Sequence, residues 1–326
     1  MSDPLPGRFA GRRVYVTGAT GFIGGHLVDA LLAEGAEVTA LARPSERAKV
    51  LALKGVAVHE GSVTDPRSIV IERQDIVIHG AAWVGYGIPR RKRSLFRATN
   101  VDATRHVLDA ARAAGARKAI HVSSIAALGR APGVMTEETR TDRAPISLYE
   151  ETKRAAHAIA LEYPDLQIAL PMPGLVVGVG SAFDPLLAAA ARGRVPVGLA
   201  GDATKGWVHV RDVVEATLAM AAGPARGPFL LVSDNMPTSE FFARFAKLAG
   251  AKPPKALVPA GLLRAGATLV ERAYNAAGRT PPVSGELLRG LSIPMTYDAS
   301  RARQALGWSP DLWGNLRRDL PDYREM

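Results

Sequence analysis

Through the first half of the chain, short apolar runs alternate with stretches whose apolar residues recur at helical spacing. Arg13–Thr17, Glu37–Ala42, Val56–Glu60, Asp75–His79 and Lys118–Val122 read as buried strands. Between them, Phe22–Glu34, Glu46–Leu53 and Leu95–Ala114 read as amphipathic helices, with Gly35 and Gly115 at helix-stop positions. Strict strand–helix alternation with short connections requires crossover helices on both faces of a parallel sheet, so the expected class is α/β, doubly wound. Beyond Gly174 the pattern loosens, with Pro185, Pro196, Pro224, Pro228, Pro237, Pro253 and Pro254 interrupting it and helical runs dominating. The expected division is a nucleotide-binding domain over 1–175, with returns to the sheet near 207–232. A smaller, mostly helical substrate cap takes 176–206 and 233–326. In the cap, Ala260–Ala277 is amphipathic, setting Leu262, Leu263, Leu269 and Val270 beside Arg264, Glu271 and Arg272. Core packing is expected of it in preference to a membrane-surface role.

The first strand runs into Gly18-Ala-Thr20-Gly21-Phe22-Ile23-Gly24, and a helix follows at once. Glycine is required where the chain turns sharply, where its backbone approaches a pyrophosphate, and where helix meets strand. The helix start adds unpaired N–H groups and a positive dipole end, which makes this a Rossmann-type dinucleotide turn. At the end of the second strand stands Ala42 in place of a carboxylate, followed by Arg43 and, a turn later, Arg47. A guanidinium suits a 2′-phosphate and nothing there repels it, so NADP is expected, with NAD as the alternative. An ordinary surface arginine is the other reading of Arg43.

Tyr149 and Lys153 are spaced to share one face of a helix. An ammonium beside a phenol favours the phenolate, so Lys153 is expected to lower the Tyr149 pKa and make the phenol an acid/base. Lys153 also has hydrogens to spare for a nicotinamide ribose. Upstream, the strand ending at Val122 leads into Ser123-Ser124, at the carboxyl edge where open α/β sheets bind ligands. A serine hydroxyl there stabilises negative charge developing on a substrate oxygen.

These features together resemble the extended short-chain dehydrogenases/reductases, a family that includes sugar-nucleotide epimerases and dehydratases, dihydroflavonol reductases and 3β-hydroxysteroid dehydrogenases. The glycine turn resembles its Thr-Gly-x-x-Gly-Phe-x-Gly form, and Ser123-Ser-Ile-Ala-Ala-Leu-Gly129 resembles Ser-Ser-x-x-x-x-Gly. That match implies Ser124 as the active serine and leaves Ser123 as a strand-end hydroxyl or cofactor contact. Asn100 begins a run resembling Asn-Val-x-Gly-Thr, whose asparagine helps organise the lysine and water; a plain polar kink in a long helix is the alternative. His79-Gly-Ala81-Ala82 resembles the His-x-Ala-Ala that passes the cofactor. By the same resemblance Ser62 and Val63, and Pro173, Gly174 and Val176, stand at cofactor positions. The C-terminal pattern looks most like the dihydroflavonol-reductase and hydroxysteroid-dehydrogenase branch. The pattern departs at Gly61-Ser62 for Gly-Asp, Met172-Pro173-Gly174 for Arg-Pro-Gly, and Arg211 for a frequent aspartate.

Composition narrows the chemistry. The chain has 326 residues and no cysteine, which excludes disulfides, thiolate nucleophiles and cysteine-ligated metals. Redox chemistry then falls to a bound organic cofactor. The scattered histidines show no metal spacing, and no metal is expected. Net charge is +10, but the arginines are dispersed, so no nucleic-acid partner is expected. Only Arg90-Arg-Lys-Arg93 is clustered, reading as a solvated helix start or as a contact for an anionic partner. No apolar signal core or membrane-spanning run is present, which makes the cytoplasm the default compartment. Trp83 and Tyr86 are candidates to line an apolar substrate, core packing being equally open for Trp83.

The leading functional expectation is an NADP-dependent reductase or dehydrogenase acting on a small carbonyl or secondary alcohol. In it Ser124 polarises the oxygen and Tyr149 moves the proton. A sugar-nucleotide epimerase or dehydratase that retains NAD is the alternative, and a non-catalytic NADP-sensing or RNA-associated member of the fold is the third reading. A homodimer through Leu95–Ala114 and Tyr149–Leu161 is the assembly the resemblance implies.

Overall fold

The computed structural model describes residues 7–194, 197–200, 203–253, 256–281 and 284–326. The extreme N-terminus, Pro196 and Pro254 lie outside them. Seven strands form one sheet: β1 (Arg13–Thr17), β2 (Glu37–Ala42), β3 (Ala57–Glu60), β4 (Ile76–His79), β5 (Lys118–His121), β6 (Gln167–Pro173) and β7 (Gly227–Leu231). Their order is β7-β6-β5-β4-β1-β2-β3, and every pairing is parallel. The order reverses between β1 and β4, which opens a crevice at their carboxyl ends.

Residues alternate between faces along a strand, so each face needs its own cover. Val14, Val16, Ile78 and Ile120 pack with Leu27, Val28 and Leu31 of α1 (Phe22–Ala33) and with Val213 and Leu218 of the helix Val210–Ala222. On the opposite face, Tyr15, Val77 and Ala119 meet Val107, Leu108 and Ala111 of Ala103–Ala113 and Ile159 of Leu148–Ala160. Side chains this completely buried each contribute about 1.5–3 kcal/mol. The result is a Rossmann-type parallel sheet with flanking helices and a smaller, mostly helical C-terminal region.

Two local outcomes differ from the expected pattern. The run read as one helix, Leu95–Ala114, is a short helix Arg93–Arg97, a π-helical turn Ala98–Asp102 and then Ala103–Ala113. The strand Thr204–His209 stays out of the main sheet. It pairs in parallel with Leu175–Val177 and antiparallel with Asp234–Pro237, where Gly174 passes so close to Gly206 that a Cβ would strike its carbonyl. On this second sheet rests another core, with Trp207 stacked on Phe241 at 4.0 Å beside Phe245 and Tyr323.

The helix Ala260–Ala276 corrects the core-packing expectation. Leu262 and Leu269 are 67% and 66% exposed, and Val270 and Tyr274 are also exposed. A polar anchor sets the inward face instead, because Glu271 Oε2 accepts the Gly285 amide at 2.9 Å while Ala267 is buried. Among the described residues, no helix is long and apolar enough to cross a membrane, and no group of three or more acidic, histidine or cysteine side chains is placed to hold a metal.

Candidate active site

Because the sheet is parallel, every segment that follows a strand emerges on one edge. Gly18–Gly24, Arg43, Ser62–Val63, Ala81–Trp83, Ser123–Ser124 and Pro173–Gly174 are therefore brought to the same rim. At the crevice, Gly18 has φ 78°, and a Cβ on it would come within 2.5 Å of the Ala81 amide. A Cβ on Gly24 would fall on the Gly18 carbonyl. The Gly21 amide bonds that carbonyl at 2.9 Å, and Gly21 caps α1 with no side-chain partner. The first intrahelical bond is Gly25 to Gly21, so the amides of Phe22, Ile23 and Gly24 precede it and face the rim. A side chain at Gly18 or Gly24 would therefore displace backbone, and three amides at the helix start are left without intrahelical partners.

Around the turn, the Thr17 hydroxyl lies 2.7 Å from His79 Nδ1 and accepts the Ala81 amide at 3.3 Å, which ties β1 to the segment after β4. Arg43 is exposed, whereas Arg47 Nη1 donates to the Thr20 carbonyl at 3.1 Å. Ser62 sits in a turn closed by Ser68, whose Oγ donates to the Ser62 carbonyl at 2.8 Å and accepts its amide at 3.0 Å. The Val63 carbonyl lies 3.3 Å from His106 Nδ1. Pro173 is buried, and the Gly174 amide bonds Leu231; Val176, in the adjoining strand, is half-buried.

Tyr149 occupies the first turn of Leu148–Ala160, a helix capped by Ser147 Oγ on the Glu150 amide at 3.1 Å. Ser124 follows β5 and caps the short turn Ile125–Leu128, accepting the Ala126 amide at 3.1 Å. Its hydroxyl also hydrogen-bonds the Tyr149 phenol, so serine and tyrosine converge as expected. Lys153 is 3% exposed and donates from Nζ to the Val122 carbonyl at 2.9 Å, and burial lowers its pKa to about 8. The expected lowering of the Tyr149 pKa by Lys153 is not what the structure gives. Burial pushes the phenol up and only the Ser124 hydrogen bond opposes this, while the Lys153 amine is directed to the Val122 carbonyl.

Three histidines surround the lysine. Burial, reinforced by the Lys153 charge, lowers His79 to about 3 and His157 to about 4, and holds His121 well below its ordinary value. Neither ring nitrogen of His121 has a hydrogen-bond partner among the described residues. Ser123 is paired with His157, Oγ to Nδ1 2.9 Å. Sequence reasoning passed over His157, although its position four residues beyond Lys153 extends the face that carries Tyr149.

Asn100 binds the loop after β4. From the π-helical turn its Oδ1 accepts the Trp83 amide at 2.6 Å, and its Nδ2 donates to the Trp83 carbonyl at 2.9 Å and to Thr152 Oγ1 at 3.2 Å. It thereby fastens the loop after β4 to the tyrosine helix. In that loop Trp83 packs on Phe96, centroids 5.3 Å apart, while Tyr86 lies against Tyr149 at 5.7 Å. The basic run is engaged within the chain: Arg91 donates to the Gly278 carbonyl at 2.6 Å and Arg93 to that of Ile88 at 3.2 Å.

Comparison with known proteins completes the picture. Sterol demethylase protein B of Methylococcus capsulatus is 33% identical over 312 residues, 90% of this chain and 93% of that protein. The solved structure of MoeE5 in complex with UDP-glucose and NAD is 24% identical, covers 96% of this chain and 99% of that one, and superposes with TM-score 0.71. DesIV, a dTDP-glucose 4,6-dehydratase from Streptomyces venezuelae solved with NAD, is 22% identical with coverage of 96% and 97% and TM-score 0.73. Both of these solved structures carry NAD, which overturns the expectation of NADP. Arg43 and Arg47 carry the charge that suits a 2′-phosphate, but Arg47 donates to the Thr20 carbonyl of the glycine turn itself. The relatives do not single out the dihydroflavonol-reductase and hydroxysteroid-dehydrogenase branch. The family model for NAD dependent epimerases and dehydratases matches residues 14–229. The chain belongs to the NAD dependent epimerase/dehydratase family, a hydride-transferring oxidoreductase family of Rossmann fold.

Proposed function

We propose that this protein is an NAD-dependent enzyme acting on a nucleotide sugar, oxidising a secondary carbinol as the first step of an epimerase or dehydratase cycle. The observation that carries the reading is the Tyr149 phenol, held by Ser124 on the rim of the sheet beside the buried Lys153. The glycine turn fits a dinucleotide, since backbone packs on Gly18 and Gly24 too closely for a side chain and the three amides at the start of α1 have no intrahelical partner. The nicotinamide supplies the two-electron chemistry when bound. The amides of Phe22, Ile23 and Gly24 hold the pyrophosphate, with Thr20 shaping the turn. Ser62 and Val63 would hold the adenine end, and Ala81, Ala82, Pro173, Gly174 and Val176 would line the nicotinamide half. Lys153, which donates to the Val122 carbonyl, would also donate to a ribose hydroxyl and so orient the ribose. Ser124 binds the substrate oxygen, and Tyr149 takes or returns its proton. The raised phenol pKa makes Tyr149 a proton holder at neutral pH, so a nearby cation is needed to release the proton.

Support for the nucleotide-sugar class comes from MoeE5 and DesIV, whose structures are described with UDP-glucose and as a dTDP-glucose dehydratase. A second reading, a reductase of a free apolar carbonyl compound, is favoured by the 33% identity to sterol demethylase protein B and by the Tyr86 ring over Tyr149. One experiment separates them. The protein is purified, its bound dinucleotide is extracted and quantified, and UDP- and dTDP-hexoses are followed by NMR alongside absorbance at the NADH band. Retained NAD and a converted hexose with no net NADH change support the proposal. Steady NADH consumption on free ketones, with nucleotide sugars untouched, transfers the assignment to the second reading.

A further inference from the structure

The loop after β4 and the C-terminal region meet directly over Tyr149. Next to Tyr86, whose ring lies 5.7 Å from that of Tyr149 at an interplanar angle of 59°, the Gly87 amide donates to Glu286 Oε2 at 2.9 Å. Gly87 is buried with φ 62°, and a Cβ there would come within 3.0 Å of Glu271, Pro281 and Ser284. The loop is thus pressed onto its neighbours with no room for a side chain. Glu286 belongs to the helix Gly285–Leu291, which is itself held at both ends. At the start, Ser284 Oγ accepts the Leu287 amide at 3.1 Å and Glu271 accepts that of Gly285 at 2.9 Å. At the far end, the buried Lys205 donates to the carbonyls of Gly290 and Ile293 at 2.6 and 2.5 Å. The carboxylate that grips the loop therefore stands on a fixed support, and a carboxylate-to-amide bond is of the stronger, charge-assisted kind.

We propose that Glu286 is a positioning residue, which by holding the Gly87 amide keeps Tyr86 over the Tyr149 phenol and so sets the shape of substrate that reaches it. The selected feature is a ring with an apolar face that lies along the Tyr86 aromatic surface. The inference rests on the reading of Tyr149 as the reacting group, but its tether is measurable without turnover.

The test uses wild type, Glu286→Ala, Glu286→Gln, Tyr86→Ala and the double variant Tyr86→Ala/Glu286→Ala. Steady-state kinetics are measured on the substrate found above, together with hydrogen exchange of the peptide that contains the Gly87 amide. Glu286→Ala is expected to speed that exchange and to raise KM by about 10-fold with kcat within about 2-fold. Glu286→Gln keeps an acceptor oxygen and restores most of both. In the Tyr86→Ala background the same substitution is expected to add less than about 2-fold, because both changes act through one contact. Exchange that is equal in wild type and Glu286→Ala overturns the tether even with no substrate in hand. A full KM effect in the Tyr86→Ala background, or faster exchange with KM unchanged, overturns the action through Tyr86. Failure of wild type to turn over any substrate, with the tether intact, counts against the catalytic reading alone.

Discussion

Replacing Asn100 by alanine isolates the device that joins the loop after β4 to the tyrosine helix. Asn100 is 3% exposed and its side chain makes three hydrogen bonds, two to the backbone of Trp83 and one to Thr152 Oγ1. The variant strands the Trp83 amide and carbonyl, whereas Thr152 keeps its bond to the Tyr149 carbonyl at 3.1 Å. At about 1 kcal/mol net per bond, the loss amounts to about 3 kcal/mol, falling to about 2 where water enters the half-buried loop. Urea denaturation with an unchanged slope reads this as a lower midpoint. Asn100→Asp preserves the acceptor for the Trp83 amide but sets a buried charge against the Trp83 carbonyl, so it is expected to be no more stable than the alanine variant. NAD affinity should hold within about 2-fold in both, since neither change touches the glycine turn. Stability of Asn100→Ala within about 0.5 kcal/mol of wild type would refute the assignment, because a surface-like change has that size.

Two further outcomes follow from the geometry. Gly24→Ala puts a methyl group on the Gly18 carbonyl, so the turn and its amides must shift; loss of about 3 kcal/mol of their hold corresponds to about 100-fold weaker NAD binding by titration calorimetry, and unchanged affinity would show that the turn does not hold the dinucleotide. His157, lowered by burial to about 4 against about 6.5 unfolded, binds its proton less readily in the folded state. Its contribution is complete above about pH 6.5 and is lost as pH falls toward 4, so His157→Gln should flatten the decline of stability across that window. An identical pH slope in the variant would contradict the depressed value.

The sheet was legible because strands buried on both faces appear as continuous apolar runs, and β1, β2 and β4 end where those runs end. The catalytic candidates were legible because Tyr149 and Lys153 share a helix face and Ser124 ends a strand. What escaped depends on contacts remote in sequence. The π-helical turn arises where Asn100 binds the Trp83 backbone, and the Gly87–Glu286 contact joins residues 199 positions apart. The direction of the Tyr149 pKa turned on where the Lys153 amine points, which spacing alone leaves open. Likewise, Arg47 has the charge to bind a phosphate but bonds the Thr20 carbonyl, a partner that no local pattern identifies.

The proposed role of Tyr149 is to move the substrate proton in an NAD-dependent hydride transfer. Single-turnover conversion of the identified substrate by Tyr149→Phe, with NAD affinity measured on the same preparation, tests it most directly. The expected rate is lower by about 10²–10⁴-fold with NAD binding preserved, the range for losing a positioned acid/base. Turnover equal to wild type with NAD bound would contradict it.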